Sequence, residues 1–463
     1  MLMTEMLSKQ RQPFAVLEAD THKDRAKRSI ALVFRITAGK PLYVERIDIS
    51  GNIQTKDYVI RRELRVAEGD PINTYMVEIA RARIKALGFF QSVDMKLEPG
   101  SAPDRARLAI VVTEQETGKI SFGVGYSTSE GVVGDISWTE NNLFGNGQYL
   151  QIKLSGSLVR LQADVGFTEP HLLGTDISGG FDLFYKDTDY TQQASYKDRR
   201  VGGDMRLGFA ISDQLSASVN YTFVRNTLYS VGPLASAAIR EAIPGFPTNT
   251  SSSYNTSSVG YGMAYDTRDN KKHPTSGIMA TTSQDFAGVG GDVKYIRSLT
   301  ELRAYYAVTD TVTVMGRARG GVISGWGGQD VRLLDLFYKG SETVRGFAPA
   351  GIGPRDLASA NQDALGGKMY AAATAETMFQ LPGVPKDLGL SGAAFVDAGS
   401  LWGANKTAAA LPGIAGSAAS LRASVGVGLA WDSPLGPLRA DYAIPILKQA
   451  FDKTQPFSFG LAP

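Results

Sequence analysis

Few residues in this 463-residue chain could do chemistry. His22, His171 and His273 are its three histidines, and none sits in a short His/Glu pattern that would hold zinc. The absence of cysteine removes thiolate and disulfide chemistry. No Ser/His/Asp arrangement gathers around a histidine, and no G-x-x-x-x-G-K-[ST] loop is available for a nucleotide. The expectation is no catalytic residue, no metal and no cofactor. What remains is charge pairing. "SETVRGFAPAGIGPRD" (Ser341 to Asp356) reads as a Gly/Pro loop, yet it carries Val344-Arg345-Gly346-Phe347. Two carboxylates follow, Glu376 in "AAATAETMF" and Asp397 in "SGAAFVDAG". A guanidinium fork binds carboxylates in planar geometry. A charge buried without a partner is costly. Whether these three groups meet depends on the elements that carry them.

Those elements fall into two regions with different periods. Up to about Gln115 the pattern is mixed. Phe14–Ala19 and Ser29–Ile36 read as a hairpin, which makes 1–40 a fragment without helices. Residues 41–116 read as a compact α+β module. "PLYVERIDISGN" is a strand ending in a turn, and "TKDYVIRREL" a short helix with Thr55 as N-cap. "TYMVEIARARIKALG" is a second helix. Its Val77, Ala80, Ile84 and Leu87 form one apolar stripe, and Gly88 stands at the C′ position. Two strands follow, Ser92 to Pro99 and Ala106 to Glu114. The N-terminal "MLMTEMLSKQRQPF" has no continuous apolar run, so no signal peptide is expected there, and an exported chain would begin inside a longer precursor.

From 117 to 463 the period becomes two. In "KISFGVGYS", Ile120, Phe122, Val124 and Tyr126 alternate with Ser and Gly; "LRASVGVGLAWD" does the same. About sixteen such segments occur, each close to the roughly 9–11 residues of a tilted membrane strand. A soluble sheet with one wet face is the simpler alternative. Two features weigh against it. Lys153, Asp164, Asp204 and Arg206 lie on the polar side beside many Gly and Ser, as a wet lumen requires. Connections also alternate, short after even segments and long after several odd ones, including 325–366. The 48 Lys+Arg against 46 Asp+Glu leave no basic excess for nucleic acid. Glu376 and Asp397 fall on inward phases, and apolar "LLDLF" (Leu333 to Phe337) lets the 325–366 loop fold inward. On spacing alone, a solvated Arg345 on a mobile loop is still the favoured reading.

Several of these stretches carry a family resemblance. "SETVRGF" resembles the VRGF signature of the outer-membrane assembly barrels typified by BamA, and "GAAFVDAGSLW" their F-x-D-x-G strand. "LAWDSPLGPLRADYAIP" is similar to their penultimate hairpin, and "FTEPHLLG" and "YDTRDNKKHPTSG" to their short turns. Val44 to Glu114 resembles their last POTRA domain, and Phe14 to Gly39 the closing hairpin of the one before. The likeness runs the length of the chain, in order. It implies an α+β POTRA module followed by an all-β transmembrane barrel of about sixteen antiparallel strands. It implies that Arg345 clamps the loop to Glu376 and Asp397 inside the barrel, which reverses the preference from spacing.

The family folds and inserts barrel proteins in the bacterial outer membrane, with its POTRA region in the periplasm. The implied partners are unfolded outer-membrane β-barrel clients, accessory periplasmic lipoproteins and outer-membrane lipid. The weak seam is expected between Ile120, Phe122, Val124 and Tyr126 and a short last strand holding Phe457, Phe459 and Gly460. The POTRA edge strand, with Val93, Met95 and Leu97, is expected to hold clients or lipoproteins by strand addition. Two-partner secretion exporters and TamA-like factors share parts of this pattern and stand as alternatives. The chain departs from the family in having one full POTRA where several are usual. It also ends in "PFSFGLAP" rather than an aromatic residue; Pro463 cannot donate to a ladder.

Overall fold

A computed structural model describes residues 15–24, 29–38, 41–433 and 436–461. The expectations for the first fourteen residues, for Gly39 and for Pro463 lie outside them. The chain divides into two compact units. One is Met1–Lys119 with Thr139–Tyr149; the other is Ile120–Trp138 with Leu150–Pro463.

In the first unit, β1 (Ala15–Asp24) and β2 (Ser29–Ala38) form an antiparallel hairpin. The remaining strands are β3 (Leu42–Ser50), β4 (Pro71–Ile72), β5 (Phe90–Pro99) and β6 (Arg105–Glu114), in sheet order β4-β3-β6-β5. Helices α1 (Asp57–Leu64) and α2 (Thr74–Ala86) pack on this sheet through Val59, Ile60, Leu64, Val77, Ala80 and Ile84. The Asn73 side chain caps α2 by accepting the Met76 N–H at 2.8 Å. Gly88, at φ +73°, takes the left-handed turn that ends it.

The expected Thr55 cap is not made: α1 starts after Lys56 and has no side-chain cap. Thr55 is buried. Its hydroxyl accepts from Asn142 Nδ2 at 2.8 Å, and its N–H donates to Glu114 at 2.6 Å. That carboxylate also accepts from the N–H groups of Ile53 and Gln54, at 3.0 and 2.9 Å. Burial pushes the Glu114 carboxyl up, but these backbone donors outweigh it and hold the group below the ordinary glutamate range.

The second unit is built on a sixteen-stranded antiparallel sheet that follows chain order. Its strands are β7 (Gly118–Ser127), β8 (Gly131–Leu143), β9 (Gln148–Ser157), β10 (Arg160–Glu169), β11 (Ile177–Asp189), β12 (Lys197–Ala210), β13 (Leu215–Tyr229), β14 (Ser252–Asp266), β15 (Gly277–Gly291), β16 (Tyr295–Thr309) and β17 (Val312–Gly325). The long loop then carries two short pieces, β18 (Gly346–Phe347) and β19 (Arg355–Asp356). The wall resumes with β20 (Met369–Gln380) and β21 (Leu390–Trp402), and the next loop carries β22 (Ile414–Ala415). It ends with β23 (Arg422–Ser433), β24 (Gly436–Leu447), a short β25 (Thr454–Gln455) and β26 (Phe457–Leu461). β18 pairs with β25, and β19 with β22.

Side chains alternate along each wall strand. On β23, Val425, Val427, Leu429 and Trp431 are exposed on the outer face while Ser424 is buried inside. So many exposed large apolar residues on one face need lipid rather than water. Among the described residues no helix is long and apolar enough to cross a membrane. The strands make the crossing.

The loop clamp and the seam

Glu376 and Asp397 reach the lumen because each occupies an inward phase of its strand, β20 and β21, beside outward Ala375 and Val396. Both carboxylates are buried. Arg345 comes to them from the loop. Its Nε donates to Asp397 Oδ2 at 2.7 Å and its Nη2 to Oδ1 at 2.8 Å. Its Nη1 donates to Glu376 Oε2 at 2.7 Å, and its backbone N–H to Asp397 at 3.0 Å. The guanidinium lies over the Phe395 ring, 3.3 Å from the centroid. Such stacking adds to the charge pairing.

The neighbours of Arg345 explain the rest of the motif. Val344 and Phe347 are fully buried with Ile352, Tyr370 and Leu401. Gly346 has φ +91°, and a Cβ there would stand 3.0 Å from the Ala443 carbonyl oxygen. Glycine is the residue that tolerates both conditions. The loop's other end is pinned as well. Leu333, Leu334 and Leu336 are buried, Arg200 donates to the Leu334 carbonyl at 2.8 Å, Arg297 donates to the Asp335 carbonyl at 2.6 Å, and Tyr254 donates to the Asp335 carboxylate at 3.0 Å.

Sequence reading missed Arg439 and Asp441 on β24. Arg439 forks onto Glu376, donating to Oε1 at 2.8 Å and to Oε2, which Arg345 shares, at 3.0 Å, and pairs with Asp441 at 2.9 Å. The cluster therefore holds two cations and three carboxylates, from the loop and three wall strands. The signal was present in "PLRADYAIP", where Arg439, Asp441 and Ala443 alternate with outward Leu438, Ala440, Tyr442 and Ile444.

The expected seam residues lie on β7 and β26. β7 and β26 are the two ends of the sheet order, with no ladder between them among the described residues. They touch beyond the Ile120–Tyr126 stretch. The Thr128 N–H donates to the Phe459 carbonyl at 2.9 Å, and the Phe459 N–H donates to the Thr128 hydroxyl at 3.3 Å. A Cβ at Gly460 would lie 3.3 Å from Ser127 Cβ. Ile120, Phe122, Val124, Tyr126 and Phe457 are exposed on the outer face. On its other side β26 pairs with β24 from Leu438↔Leu461 to Tyr442↔Phe457.

Val93, Met95 and Leu97 lie on β5. Among the described residues β5 pairs with β6 alone, at an end of the sheet order. Met95 is buried, and Val93 and Leu97 pack against the core. An edge offers its backbone, and here Arg81 already donates to the Met95 carbonyl at 2.8 Å.

Comparison with known proteins agrees with this architecture. The profile of the Omp85 superfamily domain matches residues 142–462, and that of POTRA, the surface antigen variable number repeat, matches 42–115. The outer membrane protein assembly factor BamA of Neorickettsia risticii is 32% identical over 98% of this chain and 59% of its own length. That of Nitratidesulfovibrio vulgaris is 30% identical over 94% of this chain and 52% of its own length. The chain thus spans rather more than half the length of these curated relatives. The crystal structure of Haemophilus ducreyi BamA lacking POTRA domains 1–3 superposes with a TM-score of 0.82 at 26% identity, covering 99% of this chain and 91% of that one. The chain belongs to the Omp85 superfamily, as an outer-membrane β-barrel with a periplasmic POTRA module.

Proposed function

We propose that this chain is an outer-membrane assembly factor that folds and inserts β-barrel clients through the seam between β7 and β26. The observation that carries the reading is the seam. Among the described residues fifteen strand junctions are ladders, whereas the two edges meet through bonds at Thr128 and Phe459. An unpaired backbone group is expensive in hydrocarbon. A client strand that adds to such an edge satisfies its own groups and those of the edge together, which is β-augmentation. The assembly-factor names of the BamA relatives support the same reading.

The clamp braces the wall beside the seam, so that opening is confined to the edge. Unfolded outer-membrane barrels are the clients, and outer-membrane lipid is the medium into which they pass. Accessory periplasmic lipoproteins dock on the POTRA module by strand addition, and Arg81 must leave the Met95 carbonyl for β5 to accept a strand. No covalent bond is made or broken in this reading, so the activity needs no nucleophile.

The test is client folding in proteoliposomes, followed by the heat-modifiable gel shift of an added unfolded barrel. Acceleration is expected. In Ser127→Cys/Gly460→Cys the thiols would sit near disulfide geometry, and the cysteine-free background makes the bond unambiguous. Oxidation should stop the acceleration and reductant restore it. Unchanged client folding with the seam locked would exclude the seam as the route. A large conductance without any acceleration would point instead to an exporter.

A further inference from the structure

A last strand of five ladder residues, touching its far neighbour at one place, raises the question of what sets its register. Pairing alone specifies it weakly. A slip of two residues keeps the same face outward, because side chains alternate with period two. The segment leading into β26 is, by contrast, held on several sides. Arg422, at the start of β23, forks onto Asp452: Nε to Oδ2 at 3.0 Å and Nη2 to Oδ1 at 2.9 Å, with both side chains fully buried. The third nitrogen donates to the Ser420 carbonyl and hydroxyl, at 2.8 and 2.6 Å. The Gln449 N–H completes the carboxylate at 2.8 Å.

The residues that follow join the clamp loop. Lys453 exchanges backbone bonds with Ala348 and Gly351, at 2.9 and 3.0 Å. β25 then pairs with β18 in the register Gly346↔Gln455 and Phe347↔Thr454. The Pro456 carbonyl accepts from the Ala443 N–H of β24 at 2.8 Å. The chain is therefore tied from Asp452 to Pro456, and β26 follows directly from Phe457.

We propose that Arg422 and Asp452 are positioning residues for the seam: by fixing the leader 449–456 they set the register in which β26 meets β7. This deepens, and rests on, the reading of that seam as the client route. Fixing one end of a short strand removes the slipped pairings that its few ladder bonds cannot exclude. A buried, hydrogen-bonded ion pair suits this task, since specifying register is the best-attested use of such pairs.

Two cysteine pairs in the full chain, folded in lipid vesicles, read the register: Ser127→Cys with Gly460→Cys, and Ser127→Cys with Ser458→Cys. In the parent chain the 460 pair should oxidise roughly tenfold faster than the 458 pair, because effective concentration follows geometry. Adding Asp452→Asn should bring the two rates to within about threefold. An unchanged ratio in a variant that shows the folded gel shift overturns the inference. Should Asp452→Asn not fold, Arg422→Lys decides by the same ratio, because it keeps the charge and gives up the fork. Arg199→Met, which removes the 2.8 Å pair with Asp187 on a distant part of the wall, is the control. If it lowers the ratio as much, general loosening explains the effect and the inference falls. No client is present in this measurement, so its failure is separate from a failure of the assembly assay.

Discussion

The clamp and the seam lie one strand apart and are built in opposite ways. At the clamp, Arg345, Glu376, Asp397, Arg439 and Asp441 are joined by short charge-assisted bonds, largely buried, with Val344 and Phe347 sealing one side. At the seam, bonds near 3 Å connect Thr128 to Phe459, flanked by exposed apolar side chains. β24 borders both. It gives Arg439 and Asp441 to the clamp from its inner face and its outer edge to β26. The contrast is between a wall tied by buried charge and an edge tied by few bonds, with β24 carrying both.

The most severe way to break that contrast is Glu376→Ala. It strips the carboxylate shared by Arg345 and Arg439, and breaking such a buried pair costs about 3–5 kcal/mol. The urea midpoint of the heat-modifiable band should fall accordingly. Arg345→Ala leaves Glu376 with Arg439 but takes the guanidinium from Asp397, so about 3 kcal/mol is expected, the lower end of that range. It should loosen the loop and slow client assembly. Proteolysis near Gly346 that matched the parent chain would contradict this.

A smaller effect sharpens the comparison, because the POTRA module uses one carboxylate to gather a loop at a more exposed place. Glu114→Gln weakens the acceptor for the N–H groups of Ile53, Gln54 and Thr55. The folded-state pKa is depressed, so the stabilisation is present above the ordinary value of 4.5 and is lost as pH falls through the folded value. Hydrogen exchange at those three amides should be faster in the variant at neutral pH, and the two proteins should converge in acid. A difference that persisted or grew in acid would assign the effect to packing. The smallest change is Thr128→Val. It removes the hydroxyl that accepts from Phe459 and should alter stability by no more than about 0.5 kcal/mol, as surface changes usually do. It should still slow oxidation of the Ser127/Gly460 cysteine pair; an unaltered rate would show that the hydroxyl does not hold the seam.

How much of this was legible follows from where period carries information. Wall strands alternate between lipid and lumen, so their number and the inward phases of Glu376 and Asp397 could be read directly. The Arg345 contact could not. Spacing favoured a solvated arginine, and the motif resemblance supplied the pairing. Arg439 escaped because an inward arginine on a barrel strand reads as ordinary lumen lining. Arg422 and Asp452 escaped because one opens a strand and the other sits in a connection, so no period links them. Thr55 looked like a helix cap because the side-chain rule is local, whereas its hydroxyl is taken by Asn142, distant in sequence. The bonds between Thr128 and Phe459 were not legible, since register between edges without a ladder has no sequence signature.

The loop's enclosure also constrains folding. Residues 346–351 are bonded to 453–455 on one side, and Arg345 is surrounded by groups from β20, β21 and β24. All of these partners come later in the chain than the loop itself. Seating of the loop and completion of the last strands are therefore coupled: the bonds of 346–351 and those of 453–455 are one set, and neither segment can satisfy its backbone groups in this way without the other.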